Sequence, residues 1–329
     1  MTDGKHYPDP PIRRIVTGHD AGGKAIVTQD APATNHKWSS RDEVVSTLIW
    51  STHECPAEMW TAEDFGARIV PTQPPANGSR CCVIEFGPHT PGRMHRTDTV
   101  DYLMVISGKI DMELDDSTVT MEAGDTMVQQ GTNHSWVNRY DEPCRIAFVL
   151  VDGKPSPGGS LAIAAPMPPT PQPDAPPPPE AYIRRIVTSH DANGKAVVMW
   201  DGSQSLWSRR ERGNFSSLLW GSDETPAEYM TREDFGARDN EIAPPSRGTW
   251  FRVIDYPAGG PGRMHRTDTV DLVICLRGRI DMELDDSTVT MNAGDTMVQQ
   301  GTNHSWINRY DQDCRLVFIL MDAKRKPAG

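Results

Sequence analysis

Two histidines and a carboxylate recur in this chain at fixed spacing. His95 stands six residues before Asp101, and His134 follows a turn at Gly131. His265, Asp271 and His304 repeat the set. These four histidines, of ten in the chain, lie inside blocks that are identical in the two places. Histidine moves protons near neutral pH because its unperturbed pKa is about 6.5. His95, His134, His265 and His304 are therefore candidate catalytic acid/base residues. On their own, two histidines and one aspartate make an ordinary polar cluster. The elements that carry them decide whether they are more.

The blocks belong to an internal duplication. PGRMHRTDTVD occurs at 91–101 and 261–271, DMELDDSTVTM at 111–121 and 281–291, and AGDTMVQQGTNHSW at 123–136 and 293–306. The offset is 170 in all three, and IRRIVT at 12–17 returns at 183–188 with an offset of 171. A unit of roughly 140 residues is domain-sized and too long for a solenoid repeat. The division is an N-terminal unit 1–154, a segment 155–180 and a C-terminal unit 181–329. Eleven of the 26 residues of 155–180 are proline. Such a segment is expected to be an extended, weakly packed linker, because proline blocks helix and removes donors. Cutting it should release two stable halves if the units fold separately.

Each unit reads as β. IRRIVT and KAIVTQ flank a turn at 18–23, a hairpin pattern. VDYLMVIS at 100–107 is a buried-strand run, and KIDMELDD at 109–116 alternates apolar and polar residues. Short strands every eight to twelve residues indicate a sandwich or barrel. Only 58–66 and 228–236 look helical, with Thr61 and Thr231 as candidate caps. By strand parity with Asp101, Val105/Cys275 and Ser107/Arg277 face the cavity, and Tyr102 and Met104 point away.

Composition narrows the function. Lys+Arg 33 against Asp+Glu 45 gives a net charge of −12, which argues against nucleic acid and anionic membrane surfaces as partners. No apolar run is long enough to span a bilayer, and the N-terminus has no secretory-signal pattern. The six cysteines form no CxxC pair, so a reduced, cytoplasmic setting is expected.

With these motifs in view, each unit resembles a cupin domain, and the chain resembles a bicupin. The family's first motif is a His, a second His two residues on, a Glu four residues later and a Gly seven after that. His95, Asp101 and Gly108 match it. The second motif runs from a Gly through a Pro-x-Gly turn to a His and an Asn, matched by Gly124, Gly131, His134 and Asn138. The second unit supplies His265, Asp271, Gly278, Gly294, Gly301, His304 and Asn308. The resemblance covers roughly 80–152 and 250–322. It departs where the second His is Thr97 or Thr267, where Asp replaces Glu, and where Gln129 or Gln299 replaces the proline.

The resemblance implies an all-β chain of two tandem double-stranded β-helix (jelly-roll) barrels. It also implies a metal held by His95, Asp101 and His134, and by His265, Asp271 and His304. Two histidines and one carboxylate can form a facial triad with open positions. Fe2+ suits that set first, with Mn2+, Ni2+ or Zn2+ also able to fill it. The competing reading is a metal-free cavity in which Thr97 and Asp101 bond to His95. Thr97, Gln129 and Trp136, with Thr267, Gln299 and Trp306, are candidate substrate-binding residues, and Arg93 is a candidate carboxylate clamp at the mouth.

The expected function is a metal-dependent enzyme, dioxygenase-type, acting on a small organic substrate. Two other readings stay open: a metal-free isomerase, lyase or decarboxylase using histidine, and a non-catalytic binding protein. Small molecules are the expected partners, and homo-oligomerisation by pairing of barrels between chains stays open. Both barrels are expected to be competent and independent.

Overall fold

A computed structural model describes residues 5–39 and 43–325. The strands of the N-terminal unit are β1 (Arg13–His19), β2 (Ala25–Pro32), β3 (His36–Trp38), β4 (Val44–Thr52), β5 (Ser79–Phe86), β6 (Thr99–Ser107), β7 (Lys109–Glu113), β8 (Thr118–Glu122), β9 (Thr126–Gln130), β10 (Ser135–Val137) and β11 (Cys144–Asp152). Those of the C-terminal unit are β12 (Arg184–His190), β13 (Ala196–Ser203), β14 (Ser208–Arg209), β15 (Phe215–Ser222), β16 (Thr249–Tyr256), β17 (Thr269–Arg277), β18 (Arg279–Glu283), β19 (Thr288–Asn292), β20 (Thr296–Gln300), β21 (Ser305–Ile307) and β22 (Cys314–Asp322). No helix among the described residues is long and apolar enough to cross a membrane.

The chain is all-β and builds two barrels, each from one large and one small sheet. The large sheets run β13-β12-β9-β6-β11-β5-β4-β3 and β2-β1-β20-β17-β22-β16-β15-β14, and the small ones β10-β7-β8 and β21-β18-β19. The expected hairpin at 12–29 forms, with a bulge between Val16 and Thr17. It joins the opposite half: β1 runs parallel to β20, and β12 runs parallel to β9. Each unit thus lends its first hairpin to the other's sheet. The sequence division at 154 and 181 does not coincide with the sheets, because the parallel edge a hairpin needs is offered by the other unit.

Polar contacts fix the exchange. Thr126 donates to the Arg184 carbonyl at 2.8 Å, and Gln130 to the Thr188 carbonyl at 3.0 Å. Arg184 pairs with Asp125 at 2.7 Å, and Arg13 with Asp295 at 2.8 Å. Strands β6 and β17 lie between two cores, which explains their unbroken apolar runs. Leu103 and Val105 pack inside the first barrel with Ile186 and Ala196 of the lent hairpin. Tyr102 and Met104 pack in a central core shared by both halves. There Tyr102 stacks on Phe251 at 5.2 Å and bonds to Thr249 at 2.7 Å.

Three expectations need correction. Segments 58–66 and 228–236 hold only the short 3-10 turns Phe65–Ala67 and Phe235–Ala237. Asp64 and Asp234 cap them, while Thr61 and Thr231 accept a backbone N–H two residues on. A single Thr cap cannot hold a helix whose side chains are claimed by the interface, where Ala57 and Ala227 bridge to Ala323 and Gly153. The linker is extended but seated on the second unit. Trp200 donates to the Pro168 carbonyl at 3.3 Å, Trp207 to that of Ala175 at 2.8 Å, and Ile163 to that of Asp191 at 3.0 Å. Ser107 and Arg277 are exposed, because a bulge at the end of β6 and of β17 breaks the parity.

The exchange makes a direct prediction. A chain cut within 155–180 should elute from a sizing column as one particle in native buffer and separate only in denaturant. Two separate native halves would contradict the exchange.

Candidate active site

His95 and His134 face each other across an isolated bridge, each donating its backbone N–H to the other's carbonyl at 2.9 Å. Their rings lie 4.3 Å apart between centroids, as do those of His265 and His304. Gly131, at φ 56°, turns the chain from β9 into His134. A Cβ there would meet the Tyr229 ring of the other half at 2.8 Å, so glycine is required. Thr132, next in the turn, bonds to Thr188 of the lent hairpin at 2.8 Å. Thr302 bonds to Thr17 at 3.0 Å in the same way. Each site therefore rests on residues of the other half.

The imidazoles are held through Nδ1. His95 Nδ1 lies 2.9 Å from the Arg93 carbonyl, and His134 Nδ1 2.9 Å from that of Thr132. The second site repeats this with Arg263 and Thr302. At His95 and His265, donation from Nδ1 to the carbonyl leaves Nε2 as the basic nitrogen. The amide nitrogen of Gln129 lies 2.6 Å from His134 Nδ1 and 3.3 Å from its Nε2, and that of Gln299 lies 2.7 and 3.2 Å from the same atoms of His304. Burial, with the neighbouring His95 adding to it, pushes His134 down to about 3. Burial, then His265, pushes His304 down to about 4. Both are neutral at pH 7. Asp101 and Asp271 are buried near them, and burial pushes each up to about 7.

In the second barrel these residues share one cavity of about 490 Å³. His265, Thr267, Asp271, His304 and Trp306 line it, as the sequence reading expects. Gln299 enters the site through its contact with His304. Tyr256, Phe318 and Leu320 supply apolar wall, and Arg263 stands at the mouth, as its counterpart Arg93 was expected to. Thr97 and Thr267 bond to Thr99 and Thr269 at 2.8 and 2.7 Å rather than to the histidines. Among the buried polar atoms without a hydrogen-bond partner in the described residues, three in each barrel belong to predicted site residues: Asp101 Oδ1, Gln129 Oε1 and Trp136 Nε1, and Asp271 Oδ1, Gln299 Oε1 and Trp306 Nε1.

The fit to a metal can be tested on these groups. Anchored Nδ1 atoms suit metal-bound histidines, whose other nitrogen commonly donates to a carbonyl. A facial triad also needs the carboxylate, and among the described residues no three His, Cys, Asp or Glu side chains gather closely enough to hold an ion. The three-residue set read from the sequence does not close in this arrangement. All six cysteines are free and buried, so no thiolate site replaces it.

Sequence reasoning missed the arginines of the wall. Arg252 lies on β16 and lines the cavity, with Arg210 and Arg212 nearby. Burial, then the Arg210 charge, pushes Arg252 down to about 10. The signal was available: Arg252 interrupts the buried run TWFRVIDY at a position where the first unit has Cys82.

Comparison with known proteins follows this geometry. The cupin domain family matches residues 82–151 and 252–320. A cupin-domain-containing oxidoreductase of Hypocrea virens is 35% identical over 159 residues, 45% of this chain and 81% of that protein. One of Aspergillus ruber is 32% identical over 147 residues, 43% and 72% of the two chains. A phomopsin biosynthesis cluster protein of Diaporthe leptostromiformis is 30% identical over 151 residues, 43% and 78%.

The buried carboxyls predict a pH-dependent stability. Their folded pKa is raised, so the unfolded chain ionises first and stability falls as pH rises from about 4 to about 7. Asp101→Asn and Asp271→Asn should each raise Tm at pH 8, by roughly 1–4 kcal/mol of added stability. The gain should vanish below about pH 4, where both states are protonated. Calorimetry at several pH values measures it.

Proposed function

Since the chain belongs to the cupin family, we propose that it is an oxidoreductase acting on a small organic substrate inside each barrel, with dioxygen as oxidant. The observation that carries this reading is the same trio of unpartnered polar atoms beside the histidine pair of each barrel. Native interiors leave few such atoms, and a ligand carrying both donors and acceptors would satisfy them. The oxidoreductase names of the relatives support the reaction class.

The residues divide the work. His95 and His265 accept a proton at Nε2, since Nδ1 is engaged by a carbonyl. His134 and His304 stay neutral under their glutamine amides and fix the opposite wall of the site. Trp136 and Trp306 stand edge-on to them at 6.2 and 6.3 Å, offering an indole N–H and a flat face to a conjugated substrate. No step is routed through a metal, because the three-residue donor set does not close.

The test is product mass. Purified chain should be incubated with a small-molecule extract of its source, with and without air, and the products read by mass spectrometry. The expected result is an oxygen-dependent loss of two hydrogens or gain of oxygen in a substrate. His95→Ala with His265→Ala should slow it by about 10²-fold or more. Products of unchanged mass would replace this reading with an isomerase, and no product at all with a binding protein.

A further inference from the structure

Six arginines are buried in the described residues: Arg14, Arg80, Arg145, Arg185, Arg252 and Arg315. Four have a carboxylate partner. Arg14 pairs with Asp64 at 2.6 Å, Arg185 with Asp234 at 2.6 Å, Arg145 with Glu85 through a 2.7 Å bond, and Arg315 with Asp255 at 2.7 Å. Arg80 and Arg252 have none among the described residues. Arg252 is 4% exposed; it bonds to Asn240, the Glu241 carbonyl and Ser216, and its Nε has no partner. Arg80 is 5% exposed; it bonds to Ser46 and the Thr72 carbonyl, and its Nε likewise has no partner. A buried guanidinium without a counter-charge is costly, and a protein that pairs its other four has a reason to leave these two open.

They lie on equivalent strands of the two halves, Arg80 on β5 and Arg252 on β16. Register places Arg80 level with Asp101 across β11, through Leu150. At that level the second barrel has Trp250, level with Asp271 through Leu320. Arg252 sits two residues further along, level with Val273 through Phe318, where the first barrel has Cys82. Residues two apart on a strand share a face and are about 7 Å apart. The histidine pairs are the same in both barrels, so the positive charge has moved relative to them.

We propose that Arg252 is the anchor for the anionic group, a carboxylate, of an aromatic organic ligand in the second cavity, and that Arg80 is its displaced counterpart in the first. The missing counter-ion is then the ligand. Tyr256, Trp306 and Phe318 line the second cavity and receive the aromatic part, while Arg210, Arg212 and Arg263 draw the anion to the mouth. The shift of the charge makes the two barrels accept anions at different distances from the same histidines. This deepens the functional reading above, because it rests on these cavities being where substrate binds.

The experiment uses the full chain and three probes: benzoate, its neutral isostere benzamide, and inorganic phosphate at matched ionic strength. Calorimetric titration should show two benzoate sites per chain and no binding of benzamide or phosphate. Arg252→Met and Arg80→Met should each remove one site, and the double variant both, a loss of about tenfold or more in affinity at the altered site. Arg252→Lys, which keeps the charge without the fork, should bind more weakly than the parent but measurably, and serves if the methionine variant does not fold. Benzamide binding as well as benzoate, phosphate matching benzoate, or full benzoate binding in the double variant would each overturn the proposal. Because titration reads binding and the oxidation assay reads product, benzoate binding with no oxidation overturns only the functional reading, whereas loss of discrimination among the three probes overturns only the anchor.

Discussion

The parallel pairing of β12 with β9, and of β1 with β20, is the contact on which everything else rests. A hairpin by itself is marginal in water and a lone sheet edge is a hazard, so each half needs what the other lends. The pairing covers the edge strand of each large sheet and brings Tyr102 and Phe251 together in a central core. It also holds the turns that carry His134 and His304. Those turns bend at glycines that touch the other half and are tied by threonines that bond across the halves. The polyproline segment spans this joined body, and its backbone carbonyls take the indole N–H groups of Trp200 and Trp207.

Several of the buried polar atoms without a partner gather around the histidine pairs. Four buried arginines, Arg14, Arg145, Arg185 and Arg315, each reach a carboxylate, although Arg185 Nε has no partner. Arg80 and Arg252 reach no carboxylate among the described residues, and Asp101 and Asp271 each keep an unpartnered oxygen. Burial raises the aspartates and, with the neighbouring histidine, lowers His134 and His304, so these side chains favour their neutral forms. In the first barrel the Arg80 charge opposes the rise of Asp101, and no arginine does so for Asp271, which matches the displacement of the guanidinium along the strand.

Much of this was legible in the sequence. Exact repetition of PGRMHRTDTVD and AGDTMVQQGTNHSW marks two units, period-two alternation marks strands such as 109–116, and the first hairpin is legible from its turn. The cavity around His265, Thr267, Asp271, His304 and Trp306 follows from side-chain parity. The exchange was not legible, because IRRIVT carries the same local pattern whichever half it pairs with. Ser107 escaped parity because a bulge resets it. The missing closure of the donor triad depends on side-chain distances across β6 and the His134 turn, which spacing along the chain does not encode. Arg252 could have been found by asking why a charge interrupts a buried strand.

A duplication that keeps identical blocks while its walls diverge separates two kinds of constraint. The proton-handling pair must keep its geometry, since a ring displaced by even an ångström changes what it can reach. The walls need only hold a ligand, and there the halves differ: Arg80 and Cys82 against Trp250 and Arg252, and Val105 against Cys275, whose thiol sits 3.8 Å from that of Cys314. Moving one buried cation by two residues costs the fold little, because both positions share a face of equivalent strands and neither guanidinium has a carboxylate partner to abandon. It changes where a ligand's anion would seat, because the two positions are about 7 Å apart along the strand. Selection on ligand identity can therefore act on β5 and β16 without disturbing the exchanged strands that hold the reactive residues in place.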